Sequence, residues 1–162
     1  MSEQEERDRM VEEALTWVGT KYENRGRVKG KAGGVDCLTL LLEVAERSGI
    51  TGHIPTPKYP PDWHMHREDP RYLTGVLQFC KEVDPPPIRE PKPGDVVLWK
   101  FGLSYSHGGI VIAWPVVIHA YNGRSVGKDD ASRSSHLKFI VERTPERGQP
   151  RPRRHFTLKD WT

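Results

Sequence analysis

Three side chains in this sequence have the chemical types needed for a cysteine-nucleophile site. Cys37 follows Asp36 at the start of a predicted helix, where backbone amides and the helix dipole favour a thiolate over a thiol. His107 stands at the mouth of a predicted strand, and His119 lies in the next strand, twelve residues further on. A reactive cysteine needs a neighbouring base and a third group that orients the base. The set therefore predicts nucleophilic catalysis by a thiol.

Each of these residues also has a plain structural interpretation. Cys37 is followed by Leu38 and by the leucines at 40–42, so it fits a buried core position equally well. A single histidine is more often structural or on the surface than catalytic. The combination of the three residues favours the catalytic interpretation.

The order of the predicted elements, helices first and antiparallel strands afterwards, indicates an α+β fold. Apolar spacing and glycine stops predict helices over residues 5–18, 36–48 and 71–83, with Cys80 on the core stripe of the third. Strands are predicted over 96–101, 108–113, 116–121, 137–143 and 156–158, the first of them after a Pro-Gly-Asp turn. Loops are predicted over 22–34, 51–70, 84–93 and 122–135.

The catalytic interpretation depends on the register of the hairpin that carries the two histidines. With a three-residue turn at 113–115, Gly109 lies opposite His119, and His107 becomes a diagonal neighbour of His119 on the same face. Diagonal neighbours lie about 7–8 Å apart at the backbone, within reach of long side chains. We then expect one imidazole to hold the other through Nδ1, which leaves Nε2 free to face the thiol of Cys37. A two-residue turn would place the histidines on opposite faces.

Five short motifs surround these residues, in an order that is specific only in combination. They are Trp17-Val-Gly-Thr-Lys-Tyr22, Gly34-Val-Asp36-Cys37, Pro93-Gly94-Asp95-Val-Val, His107-Gly-Gly-Ile-Val-Ile and Ile118-His119-Ala120. Their order and spacing, over residues 15–121, resemble the NlpC-type cysteine peptidases. That family has a papain-like fold and cleaves the peptide stems of bacterial cell wall.

The resemblance implies a fold in which N-terminal helices pack on a central antiparallel sheet. Length and composition indicate one domain over residues 1–162, with a core at about 5–143 and a basic C-terminal extension at about 144–162. By the same resemblance Cys37 is the nucleophile, His107 is the general base and His119 orients the base. The backbone amide of Cys37 is expected to help stabilise the oxyanion.

The resemblance also suggests where substrate is bound. Tyr22 and Asp36 match positions that line the substrate cleft in the family, and Ser106 lies in the motif that holds the base. Trp63, in the long aromatic loop, either forms a stacking lip for substrate or simply anchors the loop. One departure concerns specificity, because family members usually have Ser-Gly after the Asp-Cys pair and this chain has residues Leu38-Thr39. The missing serine would help to grip the substrate amine, so stem-peptide specificity is altered or lost.

Further segments resemble a subgroup of these peptidases encoded by tailed phages, prophages and gene-transfer agents. They are Asp62-Trp63-His64-Met-His66-Arg67, Arg71-Tyr72-Leu73, Lys100-Phe101-Gly102 and Trp114-Pro115. We therefore expect a tail-associated hydrolase of peptidoglycan stem peptides, with other tail proteins as partners. The alternative is a structural or assembly protein of a phage-type tail that keeps the fold and cleaves little. An amidase or acyltransferase would use the same triad.

Composition limits the other possibilities. The N-terminus is densely charged and lacks the apolar stretch of a secretory signal, and no apolar run approaches the ~20 residues of a membrane span. We expect a chain made in the cytoplasm, without a membrane partner, that reaches the cell wall or periplasm as part of a virion tail. The net charge is only +3, but residues 143–160 hold six basic and two acidic side chains. Such a segment either contacts an anionic polymer or forms a solvated tail; we expect a solvated tail and no nucleic-acid partner.

No metal or cofactor is expected. Three histidines gather in one loop region, His53, His64 and His66, but no clear third ligand accompanies the His-x-His pair. Two cysteines do not form a disulfide framework.

Overall fold

The computed structural model describes residues 2–59, 71–83, 90–101, 104–131 and 154–158. The helices are α1 (Glu3–Thr16), α2 (Cys37–Arg47) and α3 (Arg71–Val76). The strands are β1 (Arg27–Val28), β2 (Gly34–Val35), β3 (Cys80–Val83), β4 (Val96–Phe101), β5 (Ser104–Ala113), β6 (Val116–His119), β7 (Gly127–Asp130) and β8 (Arg154–Leu158).

All the paired strands run antiparallel. β1 and β2 form a small hairpin, and the other six form one sheet in the order β3-β8-β4-β5-β6-β7. α2 contacts both α1 and α3, and all three helices pack on β5, near the middle of that sheet. The predicted α+β fold, with N-terminal helices on a central antiparallel sheet, is confirmed.

Capping residues and glycines at the ends of α1 and α2 explain why these helices form where the spacing predicts them. Ser2 and Glu5 close a capping box at the start of α1, and Gly19 follows its end with a φ of 93°. Asp36 caps α2 by accepting the amide hydrogens of Leu38 and Thr39, and Gly49 follows α2 with a φ of 82°. Both predicted helices are confirmed to within two residues at each end.

Two apolar clusters cover the two faces of the sheet. The larger lies between the helices and one face, and it includes Met10, Trp17, Leu38, Leu41, Leu98, Ile110 and Ile118. The smaller lies on the other face and is built from Val97, Trp99, Val111, Val117 and Ala131. Every residue of α2 from Cys37 to Ala45 is buried, so this helix is enclosed on all sides. Burying one leucine side chain stabilises the fold by about 1.5–3 kcal/mol. The several buried leucines of α2 therefore hold this helix, and Cys37 in its first turn, firmly in place.

The third predicted helix is partly wrong. α3 ends at Val76, and the chain then forms β3, which begins at Cys80 and pairs with β8. The apolar residues of this segment do fit a helical period, but their partner strand lies more than seventy residues away and local spacing contains no trace of it. Cys80 is nevertheless buried, as predicted for a core position.

Other loop and strand predictions also change. The predicted loop at 122–135 contains β7, which pairs with β6 and extends the sheet by one strand, and the loop at 22–34 contains β1 and reaches the start of β2. The strand predicted at 156–158 is confirmed within β8. Because β8 lies between β3 and β4, these residues belong to the sheet and not to an extension beyond residue 143. Residues 51–59 contain no helix or strand, whereas 60–70, 84–89 and 137–143 lie outside the described residues.

The turn before β4 is fixed by a buried ion pair from α1. Arg7 donates from Nη1 to the carbonyl of Pro93 at 3.0 Å and to Oδ1 of Asp95 at 2.9 Å. Gly94 between them has a φ of 88°, as the predicted Pro-Gly-Asp turn requires. In the described part of the chain, no helix combines the length and the apolar character that crossing a membrane would take.

Candidate active site

The hairpin of β5 and β6 has the register that the sequence predicts, but it reaches it by a different turn. Ile110 pairs with Ile118 and Val111 pairs with Val117, which continues to Gly109 opposite His119. The connection itself has two residues, 114–115, and not three. A bulge between Val111 and the last residue of β5 inserts one extra residue into that strand. The bulge restores the alternation that a two-residue turn would otherwise have broken.

The two histidines therefore lie on one face and touch. Nε2 of His107 lies 2.8 Å from Nδ1 of His119, and their ring centroids are 5.0 Å apart at an interplanar angle of 73°. The predicted contact is confirmed, but the nitrogen assignment is reversed. His107 is held through Nε2, so Nδ1 is the nitrogen that points away from His119. Residue spacing places the rings together, whereas the ring rotation depends on packing against Trp99 and Tyr121.

A third side chain, not predicted from the sequence, continues the line. Nε2 of His119 lies 2.6 Å from Oδ2 of Asp129. Asp129 lies on β7 opposite Val117, so it is a diagonal neighbour of His119 across the strand pair. It was missed because β7 was predicted to be a loop. The sequence could have pointed to Asp129 only if the segment after β6 had been recognised as a further strand that carries a carboxylate next to His119.

Burial decides the charge of His119. Only 1% of this residue is exposed, and desolvation lowers its pKa, with Arg124 acting in the same direction. The hydrogen bond and the charge of Asp129 act in the opposite direction without reversing the shift. His119 is therefore neutral at neutral pH.

Cys37 is the first residue of α2, as predicted, but its thiol is not activated in the resting structure. Cys37 is 4% exposed, and burial raises its pKa well above the ordinary thiol value, with the charge of Asp36 adding to the rise. Hydrogen bonds from Tyr72 and from the amides of Cys37 and Leu38 lower the pKa by less. The expectation of a thiolate at rest is wrong because desolvation outweighs the amides at the helix start.

Tyr72 joins the start of α2 to the strand that carries the base. Its hydroxyl donates to the carbonyl of Cys37 at 2.9 Å. The same hydroxyl lies 2.6 Å from where a Cβ would stand on Gly108, the residue next to His107. Gly108 thus leaves room for the side chain of Tyr72, which was not predicted as a site residue.

Asp36 is enclosed by donors from its own chain. Its Oδ1 accepts from the amides of Leu38 and Thr39, and its Oδ2 accepts from the amide of Arg25 at 2.8 Å and the hydroxyl of Tyr59 at 2.6 Å. The residue is fully buried. This carboxylate positions Cys37 and the loop before it, and a direct contact between Asp36 and substrate stays a prediction.

Two tyrosines stand near the nucleophile. Burial and the nearby Cys37 and Asp36 raise the pKa of Tyr22, whose side chain is only partly buried, and the same influences raise the pKa of Tyr59. Both hydroxyls are therefore neutral and can donate hydrogen bonds at any physiological pH. Tyr22 is the predicted cleft residue that the structure leaves partly open to solvent beside Cys37.

The remaining predicted residues are less informative. Trp63, His64 and His66 lie outside the described residues, and Ser106 is described only as part of the backbone of β5. Nδ1 of His53 lies 3.1 Å from Oε2 of Glu46. Within the described ranges, no group of three potential metal ligands occurs.

Sequence comparison finds no matching family model and no matching curated protein. Comparison of structures does find similar chains, among them three that are 17–18% identical to this one. The NlpC/p60 domain of the peptidoglycan hydrolase SagA matches with a TM-score of 0.54 at 17% identity, covering 94% of this chain and 98% of that one.

Two larger proteins match over part of their length. One is an NLP/P60 family protein similar to lipoprotein, from Staphylococcus aureus, with a TM-score of 0.55 at 18% identity, covering 87% of this chain and 41% of that one. The other is NlpC1 from Trichomonas vaginalis, with a TM-score of 0.55 at 17% identity, covering 82% and 41%. This chain thus spans about two fifths of each of those proteins. It has the α+β fold of NlpC/p60 domains.

Proposed function

We propose that this protein is a cysteine hydrolase that cleaves amide bonds in the peptide stems of peptidoglycan, with Cys37, His107 and His119 as its triad. The observation that carries the proposal is the 2.8 Å contact between the two histidines, in a fold that places Cys37 at the start of a buried helix. One protein of similar structure is itself described as a peptidoglycan hydrolase. The sequence motifs give the same assignment of roles.

The chemistry follows from the protonation states. The thiol of Cys37 is neutral at rest, so its proton must leave as the sulfur attacks, and Nδ1 of His107 is the nitrogen that accepts it. Attack on the carbonyl carbon forms a C–S bond and a tetrahedral oxyanion, which the amide of Cys37 stabilises. Collapse breaks the C–N bond, and the proton on Nδ1 moves to the leaving amine. Water then hydrolyses the thioester, with His107 again acting as the base.

The decisive test is a muropeptide release assay with purified protein. The proposal requires Sγ of Cys37 to reach Nδ1 of His107 during the reaction, so C37A and H107A should both abolish peptide release. The matched control is C80A, because Cys80 is the second cysteine of the chain and is equally buried, in β3. Peptide release that persists in C37A would refute the assignment.

The two residues after the nucleophile, Leu38 and Thr39, support the proposal that substrate specificity is altered. Leu38 is fully buried in the core and Thr39 donates its hydroxyl to Asp36, so neither side chain reaches into a cleft. The family usually holds the substrate amine with a serine, so another group must do this here. Among the described residues, the partly exposed Tyr22 is a candidate donor. Mass spectrometry of the products, and of any acyl adduct on Cys37, separates a peptidase from an amidase or an acyltransferase.

We further propose delivery as part of a phage-type tail, a proposal supported by the sequence resemblance to that subgroup. The competing function, a tail assembly protein with little activity, is favoured by one observation, the burial of Cys37, which also raises the pKa of its thiol. Stoichiometric binding to a tail partner that is unaffected by C37S, together with no peptide release, would favour the competing function. Full lytic activity of the isolated protein would count against it.

A further inference from the structure

Two imidazole rings and one carboxylate form a continuous line of hydrogen bonds across three neighbouring strands. His107 on β5 lies 2.8 Å from His119 on β6, and His119 lies 2.6 Å from Asp129 on β7. The triad accounts for the first two residues and leaves the carboxylate without a role. The line is buried at its centre, since His119 is almost fully enclosed and the side chain of Asp129 is 10% exposed.

The two contacts dictate where the protons are. A carboxylate can only accept, so Nε2 of His119 carries a hydrogen and donates it to Asp129. Because His119 is neutral, its Nδ1 is then bare and must accept. The hydrogen in the 2.8 Å contact therefore belongs to Nε2 of His107. A neutral His107 with its hydrogen on Nε2 has a bare Nδ1.

We propose that Asp129 is a positioning residue that fixes the tautomers of both histidines and so keeps Nδ1 of His107 unprotonated, in the form that can accept a proton. The role rests on the proposed function of His107 as the base. In this role Asp129 acts through its hydrogen bond with His119 and not directly on the sulfur or the substrate. A base held as the other tautomer would present an N–H to the thiol and could not take its proton.

The surroundings support a specific role for this carboxylate. The rings of Trp99 and Tyr121 pack against His107, and Tyr121 also contacts His119, so the line runs between aromatic side chains. In such surroundings an orienting hydrogen bond is stronger than it would be in water. Nη1 of Arg124 lies 4.0 Å from Oδ2 of Asp129, so a cationic side chain lies near this carboxylate. A purely structural role, holding β7 to β6, would not depend on which ring nitrogen carries the hydrogen.

The test reads the tautomers directly by ¹⁵N NMR of histidine-labelled protein near pH 7.5, which needs no substrate. In the wild type we expect His107 and His119 both to be protonated at Nε2 and bare at Nδ1. Either ring protonated at Nδ1 instead would overturn the proposal without any variant.

Variants extend the test to activity. D129L removes the acceptor at similar size, and D129N offers an amide whose NH₂ can donate; both should produce mixed tautomers on His119 and His107. Both should lower kcat about 10- to 100-fold, by analogy with carboxylates that orient ligating or catalytic histidines, with KM little changed. D129E keeps a carboxylate and should restore the wild-type tautomers and part of kcat.

The matched control is D130N, which removes the adjacent carboxylate from the same strand and should leave tautomers and kcat as in the wild type. Wild-type tautomers retained in both D129L and D129N would refute the positioning role. Failure of the proposed function is recognised separately. Expected tautomers in a protein that cleaves no wall peptide would uphold the line of hydrogen bonds and reject the proposed substrate.

Discussion

The reactivity of the nucleophile is set by two opposed effects at one residue. The helix start offers amides that favour a thiolate, but Cys37 lies in the apolar core and beside the carboxylate of Asp36. Desolvation is the larger effect, so the sulfur holds its proton until a base removes it. Activation must then come during the reaction and not from the resting electrostatics.

The rate of alkylation measures the protonation of the Cys37 thiol directly. In a C80A background, which leaves one thiol, we expect the folded protein to react slowly with iodoacetamide at pH 7–8. Because the pKa of Cys37 is raised, the thiolate fraction is small in this range, and the rate should still be rising at pH 9. Urea-unfolded protein should follow the ordinary thiol curve, with a midpoint near 8.5. Rapid labelling of the folded chain at pH 6–7 would contradict the raised pKa.

The sequence predicts which residues meet at this site better than it predicts which of their atoms make the contacts. Spacing predicted the register that brings His107 and His119 onto one face, but the strands reach it through a two-residue connection and a bulge that the sequence did not predict. It did not predict which nitrogen of His107 contacts which nitrogen of His119, because that depends on how each ring is rotated inside a packed site. It also did not predict Asp129, whose position depends on a strand pair that no local pattern reveals.

At the scale of secondary structure, prediction succeeded where the signals are local. α1 and α2 begin at capping side chains and are followed by glycines in the left-handed conformation, and all of these features can be read within a few residues. β3 and β7 were missed because each is defined by a partner strand. β3 pairs with a strand near the far end of the chain, and its apolar residues alone fit a helix.

The packing of α3 against β5 depends on the absence of a side chain at Gly108. A Cβ on Gly108 would lie 2.6 Å from the hydroxyl oxygen of Tyr72 and 2.7 Å from Cδ2 of Leu98. G108A should therefore displace Tyr72 from the carbonyl of Cys37 and shift the first turn of α2. We expect a loss of about 1–3 kcal/mol in the free energy of unfolding and a clear fall in peptide release.

Urea unfolding and the muropeptide assay check this prediction together. The matched control is G52A, because Gly52 has no atom within 4 Å of its Cβ position. Y72F removes the hydroxyl that the new methyl group meets, so the penalty of G108A should be smaller in a Y72F background. Equal penalties in both backgrounds would show that Tyr72 is not the contact that requires a glycine.

At the scale of the whole molecule, the similarity to known structures lies in the fold, while identity is only 17–18%. What must be preserved for a site of this kind is the approach of the first turn of α2 to β5 and the order β5-β6-β7. Besides its apolar packing, the N-terminal helix makes one buried polar contact with the start of this sheet. Arg7 on α1 is buried and reaches the turn that starts β4, the strand adjacent to β5.

Removing Arg7 should therefore weaken the molecule as a whole and not only α1. Asp95 is fully buried, and R7A would leave its carboxylate without the guanidinium that now lies 2.9 Å away. Breaking one side of a buried ion pair costs about 3–5 kcal/mol, because a charge stays behind in a dry environment. Chemical unfolding should show this loss, with R9A, an exposed arginine of the same helix, close to the wild type. The double variant R7M/D95L should recover stability relative to R7A, since it removes the stranded charge. No recovery would show that the unpaired carboxylate is not the source of the loss.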